Sequence, residues 1–92
     1  MTNFNRFLQE QIELASCSIN KSELCRQAQI TWPCLWRWAT KPTKERPKDQ
    51  TLWRVLEVLA PYCNQTPQDL MIAANRAILD DFFDAIEEVE NG

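Results

Sequence analysis

The scarcity of glycine is the feature that most restricts the fold of this chain. Among its 92 residues there is one glycine, Gly92, and it is the last residue. Tight β-hairpins need residues at positive φ, a conformation that glycine adopts most readily. Hydrophobic residues make up 45% of the chain, which is enough for a packed core rather than a disordered segment. The sequence therefore predicts an all-α fold, with residues 1–92 forming a single domain.

Apolar residues recur every three or four positions in five segments, as they do in amphipathic helices. We predict helices over about residues 3–16, 20–28, 32–40, 49–60 and 67–90. Side chains that commonly cap helix N-termini, those of Asn20, Thr31 and Thr66, stand at the start of three of these segments. Trp38 and Trp53 are expected in the core.

The net charge of −3 conceals an uneven distribution along the chain. Residues 1–19 carry a net charge of −1, residues 20–60 a net charge of +4 and residues 61–92 a net charge of −6. A basic middle segment suits contact with phosphates, whereas the acidic last helix would be repelled by them. We therefore expect the last helix to point away from any nucleic acid.

The cysteines and the other reactive side chains form no recognisable chemical motif. Cys17, Cys25, Cys34 and Cys63 include no CxxC pair, and the chain has no histidine, so neither a metal nor a cofactor is expected. A glycine-rich phosphate loop is also missing, so we expect no enzymatic activity. No apolar run approaches the roughly 18 residues of a membrane span, and the N-terminus does not look like a secretory signal. These features predict a cytoplasmic protein.

The segment 21–40 resembles the helix-turn-helix of the phage repressor and Cro (Xre-type) family. Leu24 and the small Cys25 stand where that pattern has an apolar and then a small residue, and Ile30 is the apolar residue of the turn. Leu35 and Trp38 take the two inward positions of the second helix. The basic loop and the apolar helix that follow also fit, so the resemblance covers about residues 20–71.

This resemblance implies a five-helix fold like that of lambda repressor, with a long, acidic C-terminal helix at about residues 67–90. It also implies a transcriptional regulator that reads double-stranded DNA by placing residues 32–40 in the major groove. The residues expected to face the groove are Thr31, Trp32, Trp36, Arg37 and Thr40. The residues expected to hold phosphates are Lys21, Lys41, Lys44, Arg46 and Lys48.

Two departures from the family pattern leave a second interpretation open. Gln29 stands in the turn where the family usually has glycine, and the outward positions hold Trp32 and Trp36 rather than polar readers of base edges. Exposed tryptophans also mark protein-binding sites. The alternative is a protein-interaction module, antitoxin-like or an adaptor, that uses these tryptophans and the acidic C-terminal helix.

The last helix contains a candidate dimer contact. Ile78, Phe82, Ala85 and Val89 are separated by four, three and four positions, the spacing of a heptad seam. The family resemblance favours a homodimer, because such repressors often bind two half-sites. In the other interpretation this helix folds back over the first helix and completes the core.

Overall fold

Five α-helices pack around one apolar core in the computed structural model, which describes residues 1–42 and 46–91, with side chains as far as Val89. The helices are α1 (Asn3–Ala15), α2 (Lys21–Ala28), α3 (Trp32–Thr40), α4 (Asp49–Leu59) and α5 (Pro67–Asn91), and a 3₁₀ turn (Ala60–Cys63) links α4 to α5. The prediction of an all-α fold with a long C-terminal helix is confirmed. None of the helices in the described part of the chain is long and apolar enough to cross a membrane.

Every helix contributes at least one fully buried leucine to the core. These leucines include Leu8, Leu24, Leu35, Leu56 and Leu70. Burial of a leucine side chain stabilises the folded state by about 1.5–3 kcal/mol relative to exposure, so the stripe on each helix decides which of its faces turns inward.

The two tryptophans predicted for the core differ in burial. Trp38 is buried and lies edge-on to Phe4, with the ring centroids 6.5 Å apart. Trp53 is only partly buried and borders a surface cleft together with Met71, so its assignment to the core is wrong. The reason is that α4 buries the stripe that contains Leu52 and Val55, and Trp53 follows Leu52 on the flank of that stripe.

The connection between α2 and α3 is made without glycine. Gln29 ends α2 in the left-handed conformation, at φ 56° and ψ 45°. The backbone N–H of Ile30 then donates to the carbonyl of Cys25 at 3.1 Å, which satisfies one of the free carbonyls at the helix end. Asn20 caps α2 by accepting from the N–H of Glu23 at 2.8 Å, as its position predicts.

The first half of α5 packs against α1 and α4, with Leu70, Ala74 and Ala77 buried. Farther along α5, the Asp81 carboxylate accepts from the backbone N–H groups of Asn3 at 2.7 Å and Phe4 at 3.0 Å. A carboxylate at a helix N-terminus satisfies free N–H groups and is favoured by the helix dipole. The side chain of Asn3 also donates to Asp84 at 3.0 Å, so the interpretation in which α5 folds back over α1 holds as far as Asp84.

Candidate nucleic-acid interface

One face of α3 is turned to solvent because the opposite face carries the buried side chains Leu35 and Trp38. On the outer side Trp32 is 46% exposed and Trp36 is 45% exposed. The residues predicted to face a groove are all exposed: Thr31, Trp32, Trp36, Arg37 and Thr40. The structure thus brings this predicted set together on the surface of a single short helix.

The C-terminal end of α3 is held by two amide side chains of α1. Asn5 Nδ2 donates to the carbonyl oxygens of Trp38 at 2.6 Å and Lys41 at 3.0 Å. Gln9 Nε2 donates to the carbonyl of Ala39 at 2.5 Å. These carbonyls lie at the helix end, where they have no partner within the helix. The two amides therefore fix where α3 ends and how it is oriented against α1.

Sequence reasoning missed this pair, although Asn5 left a signal. It lies three positions before Leu8 and seven before Ile12, so it falls within the apolar stripe of α1. A polar residue at such a position is buried and must find partners. The partners themselves are more than 30 residues away in the chain, and only the packing of α1 on α3 identifies them.

The C-terminal end of α2 is held in a similar way by α4. Arg54 Nε donates to the carbonyl of Ala28 at 3.0 Å, and this carbonyl belongs to the last turn of α2. A charged donor makes this bond stronger than one between neutral groups. Both helices of the α2–α3 pair are thus fixed at their C-terminal ends by side chains from neighbouring helices.

Two lysines lie against the exposed tryptophans of α3. Lys21 Nζ is 5.6 Å from the ring centroid of Trp32, and Lys41 Nζ is 5.4 Å from that of Trp36. Such cation–π contacts are worth about 0.5–1 kcal/mol at exposed sites. The lysines belong to the start of α2 and the residue after α3, so they place positive charge beside both exposed tryptophans.

A groove of about 550 Å³ runs beside these tryptophans. Its polar and aromatic lining consists of Gln9, Glu13, Ser16, Lys21, Trp32, Trp36 and Thr40. Leu35 and Ala39 contribute apolar surface to the lining. With two tryptophans, one lysine and one carboxylate, the groove suits a ligand that combines apolar surface with polar groups.

The two threonines of this face use their hydroxyls within α3. Thr31 Oγ1 accepts from the N–H of Cys34 at 3.4 Å, and the Thr40 hydroxyl donates to the carbonyl of Trp36 at 2.7 Å. Arg37 is exposed, and within the described part of the chain its guanidinium forms no ion pair. Hydrogen bonding from this face to a base edge would therefore depend mainly on Arg37.

The remaining predicted phosphate-binding residues do not all join this face. Lys48 is exposed at the start of α4. Arg46 Nη2 pairs with Asp49 at 2.7 Å and also donates to Asn75 of α5. The structure therefore brings Arg46 to α5 rather than to the tryptophans. Lys44 lies outside the described residues.

A surface ion pair on α2 neutralises a further arginine near the interface. Arg26 Nε donates to Glu23 Oε2 at 3.0 Å, and Gln27 Nε2 donates to Glu23 Oε1 at 2.9 Å. Hydrogen bonds from Arg26 first, and then from Gln27, lower the pKa of the Glu23 carboxyl from 4.5 to about 2. Glu23 is therefore charged near neutral pH and offsets the charge of Arg26.

Two of the four cysteines have thiols that are less acidic than usual. Burial raises the pKa of the Cys25 thiol, with a smaller contribution from Cys34, and burial likewise raises the pKa of the Cys63 thiol. A raised pKa disfavours the thiolate, which is the form that attacks electrophiles and binds metals. Within the residues that the structure describes, no three Cys, Asp or Glu side chains come together to form a metal site.

The class that this geometry defines is an all-α protein of five helices with a tryptophan-rich, lysine-flanked helix on its surface. No protein-family model, no curated protein and no solved structure matches the chain. The side chains of α3 and their surroundings are therefore the features that bear on function.

Proposed function

We propose that this protein is a sequence-specific, double-stranded DNA-binding transcriptional regulator that inserts α3 into the major groove. The observation that carries the proposal is the α2–α3 pair, in which the exposed face of α3 has lysines at both of its tryptophans. Phosphate contacts position a protein on the duplex, and side chains on the inserted helix read the bases. The arrangement supports the proposal because lysines and exposed side chains of one helix lie together, as a DNA-binding helix-turn-helix would require.

Each group of the site has a distinct part in the proposed complex. The guanidinium of Arg37 would donate two hydrogen bonds to O6 and N7 of a guanine, the commonest specific contact in the major groove. Trp32 and Trp36 would offer apolar contact to thymine methyl groups. Lys21 and Lys41 would reach the phosphates on either side of the groove, since each has to move only from the face of a ring.

The other three predicted phosphate contacts are those of Lys48, Arg46 and Lys44. Lys48 is exposed and needs no rearrangement to reach a phosphate. Arg46 would first have to leave Asp49 and Asn75, so it remains a weaker candidate. The contact predicted for Lys44 also stays part of the proposal.

The acidic part of α5 is compatible with this proposal. The α5 helix packs on α1 and α4, and Asp81 is engaged by the N-terminus of α1. Phosphates would repel Asp80, Asp84 and their neighbours, so the bound duplex has to lie on the α3 side of the molecule. This is the separation of charge that the sequence predicts.

A salt titration of DNA binding tests the proposal. Preferred fragments are first selected from genomic DNA at physiological salt, and binding to them is then followed by fluorescence anisotropy. Arg37→Ala should cost about 1–3 kcal/mol on the preferred site and relax the preference at one base pair. Lys41→Ala should weaken binding to all sequences alike and reduce the salt slope by about one unit.

Arg76→Ala is the matched control, because Arg76 is an exposed arginine on α5. It should change neither the affinity nor the preference, whereas a loss as large as that of Arg37→Ala would contradict a reading role for α3. The DNA proposal fails if the wild type binds no duplex more tightly than the nonspecific range of about 10⁻⁴–10⁻⁶ M.

A second candidate function is supported by the groove beside α3. Trp32 and Trp36 border a space of about 550 Å³ that a partner's apolar side chain fits, and exposed tryptophans are frequent anchors of protein interfaces. An antitoxin-like or adaptor protein would use the groove in this way. This alternative predicts that the protein does not bind any duplex specifically. It also predicts that Trp36→Ala weakens binding to the partner protein, whereas Arg37→Ala does not.

A further inference from the structure

An apolar stripe runs along the side of α5 that faces away from the core. Its members are Ile72, Leu79, Phe82, Phe83, Ile86 and Val89, and they are between 37% and 81% exposed. They account for six of the eleven large hydrophobic side chains that are exposed in the described part of the chain. Exposed apolar side chains gathered in one place mark an interaction surface, whereas scattered ones need no explanation.

The stripe has the spacing of a coiled-coil seam. Leu79, Phe82, Ile86 and Val89 are separated by three, four and three positions, and Ile72 lies one heptad before Leu79. This seam shares Phe82 and Val89 with the one predicted from the sequence but replaces the other two residues.

The two replaced residues belong to the side of α5 nearer its own core. Ile78 is partly buried against that core. Ala85 is exposed and borders a cleft shared with Phe4, Ile78 and Pro47; Phe82 reaches the edge of the same cleft. The predicted seam of Ile78, Phe82, Ala85 and Val89 is therefore revised to Leu79, Phe82, Ile86 and Val89, because Ile78 packs against the core and Ala85 lies on the same side of α5 as Ile78.

The acidic residues of α5 lie outside the seam. With Leu79 at heptad position a, Asp69 and Glu90 fall at position e beside the seam. The other five of the seven acids fall at positions b, c and f: Asp80, Asp81, Asp84, Glu87 and Glu88. Those positions point away from the partner in a coiled coil. Asp81 illustrates this arrangement, since its carboxylate is bound by the N-terminus of α1. Two copies could thus pair through the stripe without bringing these carboxylates face to face.

We propose that a second copy of this chain covers the stripe, so that two α5 helices pair across a two-fold axis. A standard interface buries about 800 Å² on each partner. Phe82 and Phe83 are 59% and 53% exposed, so each still offers somewhat more than half of the roughly 150–250 Å² of a phenylalanine. Together with the four aliphatic side chains they supply a large part of that area. The proposal does not depend on DNA binding, because it concerns the protein alone.

The chemistry of the stripe favours a second copy over other occupants. A basic partner helix would meet apolar side chains, since the carboxylates lie on the other side of α5. An interfacial membrane helix normally carries Lys and Arg on its polar face, whereas the polar face here is acidic. A second copy offers an equally apolar surface with the same spacing.

Two further features suit a self-complementary contact. Phe82 and Phe83 lie near the middle of the exposed segment with their ring centroids 5.9 Å apart, so a two-fold axis beside them would stack four rings. Asn75 stands at the seam position between Ile72 and Leu79 and accepts from Arg46. A single polar residue in an apolar seam commonly specifies register.

Sedimentation of the full chain without DNA tests this proposal, over a range of roughly 1–100 µM. The wild type should be a dimer that dissociates on dilution. Ile86→Glu should raise the dissociation constant by about 100-fold or more, because the new carboxylate would be buried without a partner. Ala85→Glu is the control at the next position of the same helix, and it should change the dissociation constant by less than about 5-fold.

Both substituted residues are exposed, so circular dichroism and thermal melting should show that both variants remain folded. A wild type that stays monomeric throughout this concentration range would overturn the proposal and leave the stripe to a partner of another kind. Equal weakening by Ala85→Glu and Ile86→Glu would overturn the assignment of the contact to this face.

Discussion

Asn5 on α1 is joined to Trp38 on α3 by a buried hydrogen bond, in which Asn5 Nδ2 donates to the Trp38 carbonyl at 2.6 Å. The same amide group donates to the carbonyl of Lys41, and its oxygen accepts from the backbone N–H of Thr2 at 3.1 Å. One side chain thus connects the beginning of α1 to the end of α3. The orientation of the proposed DNA-binding helix depends on this connection.

Replacement of Asn5 is therefore expected to destabilise the protein. Asn5→Leu keeps the volume but leaves carbonyl oxygens at the end of α3 without a donor, at a cost of about 2–3 kcal/mol. The melting temperature should fall by roughly 10 °C. Thermal unfolding, monitored by circular dichroism, measures the melting temperature and the loss of stability.

Asn3→Ala is the matched control for that experiment. Asn3 is on the same helix, but its side chain makes an exposed hydrogen bond to Asp84. Its removal should change stability by less than about 0.5 kcal/mol. Equal losses in the two variants would show that the buried contacts of Asn5 contribute nothing of their own.

The turn between α2 and α3 should be stabilised by glycine. Gln29 holds a positive φ of 56°, which costs a residue with a Cβ about 1 kcal/mol. Gln29→Gly should therefore raise the free energy of unfolding by up to that amount, as measured by urea denaturation. Asn64 has a similar φ of 59°, but asparagine tolerates this conformation better, so Asn64→Gly should gain less. The opposite ranking would contradict this explanation.

The tryptophans of α3 should make DNA binding sensitive to thymine methyl groups. Replacing thymine by uracil in the selected site removes one methyl group per base and no hydrogen-bonding atom. Each contacted methyl should be worth about 0.8 kcal/mol, which is roughly 4-fold in affinity.

In Trp36→Ala the loss of affinity on replacing thymine by uracil should be smaller than in the wild type, whereas in Arg37→Ala it should be unchanged. Anisotropy titrations of the three proteins on thymine and uracil duplexes measure this difference. A site bound equally well with uracil at every position would exclude methyl contacts while leaving the DNA-binding proposal intact.

The Glu23–Arg26 pair predicts a specific acid titration. The pKa of Glu23 is about 2 in the folded protein against an ordinary value of 4.5, so its charged form is favoured by folding. The resulting stabilisation is complete above pH 4.5 and is lost as the pH falls toward 2. Because the pair is on the surface, its contribution to stability should be small and reduced by salt.

An NMR titration of the Glu23 carboxyl carbon checks this value. In Arg26→Ala the pKa should rise toward 4.5, because the largest cause of the shift is removed. In Arg76→Ala it should stay where it is in the wild type. A Glu23 pKa near 4.5 in the wild type would show that the ion pair does not persist in solution.

Local features of the structure could be predicted because they depend on neighbouring residues. The cap at Asn20 and the inward Leu35 follow from side chains within a few positions of one another, whereas the left-handed turn at Gln29 was implied by the family resemblance. The exposed set on α3 followed from the same periodicity. Trp53 was misplaced because an apolar side chain beside a buried stripe can lie at the edge of the core as easily as inside it.

By itself, the sequence determined that the chain forms helices, where they begin and end, and which face of α1 to α4 is apolar. Only the tertiary structure decided what depends on the way those helices pack: that Asn5 and Gln9 hold α3, that Arg46 turns to α5, and which side of α5 stays exposed. Helical periodicity defines faces relative to a helix axis, but it does not say which neighbour covers them. On α5 both sides carry apolar residues beyond Ala77, and the contact with α1 leaves the side of Leu79 and Ile86 uncovered.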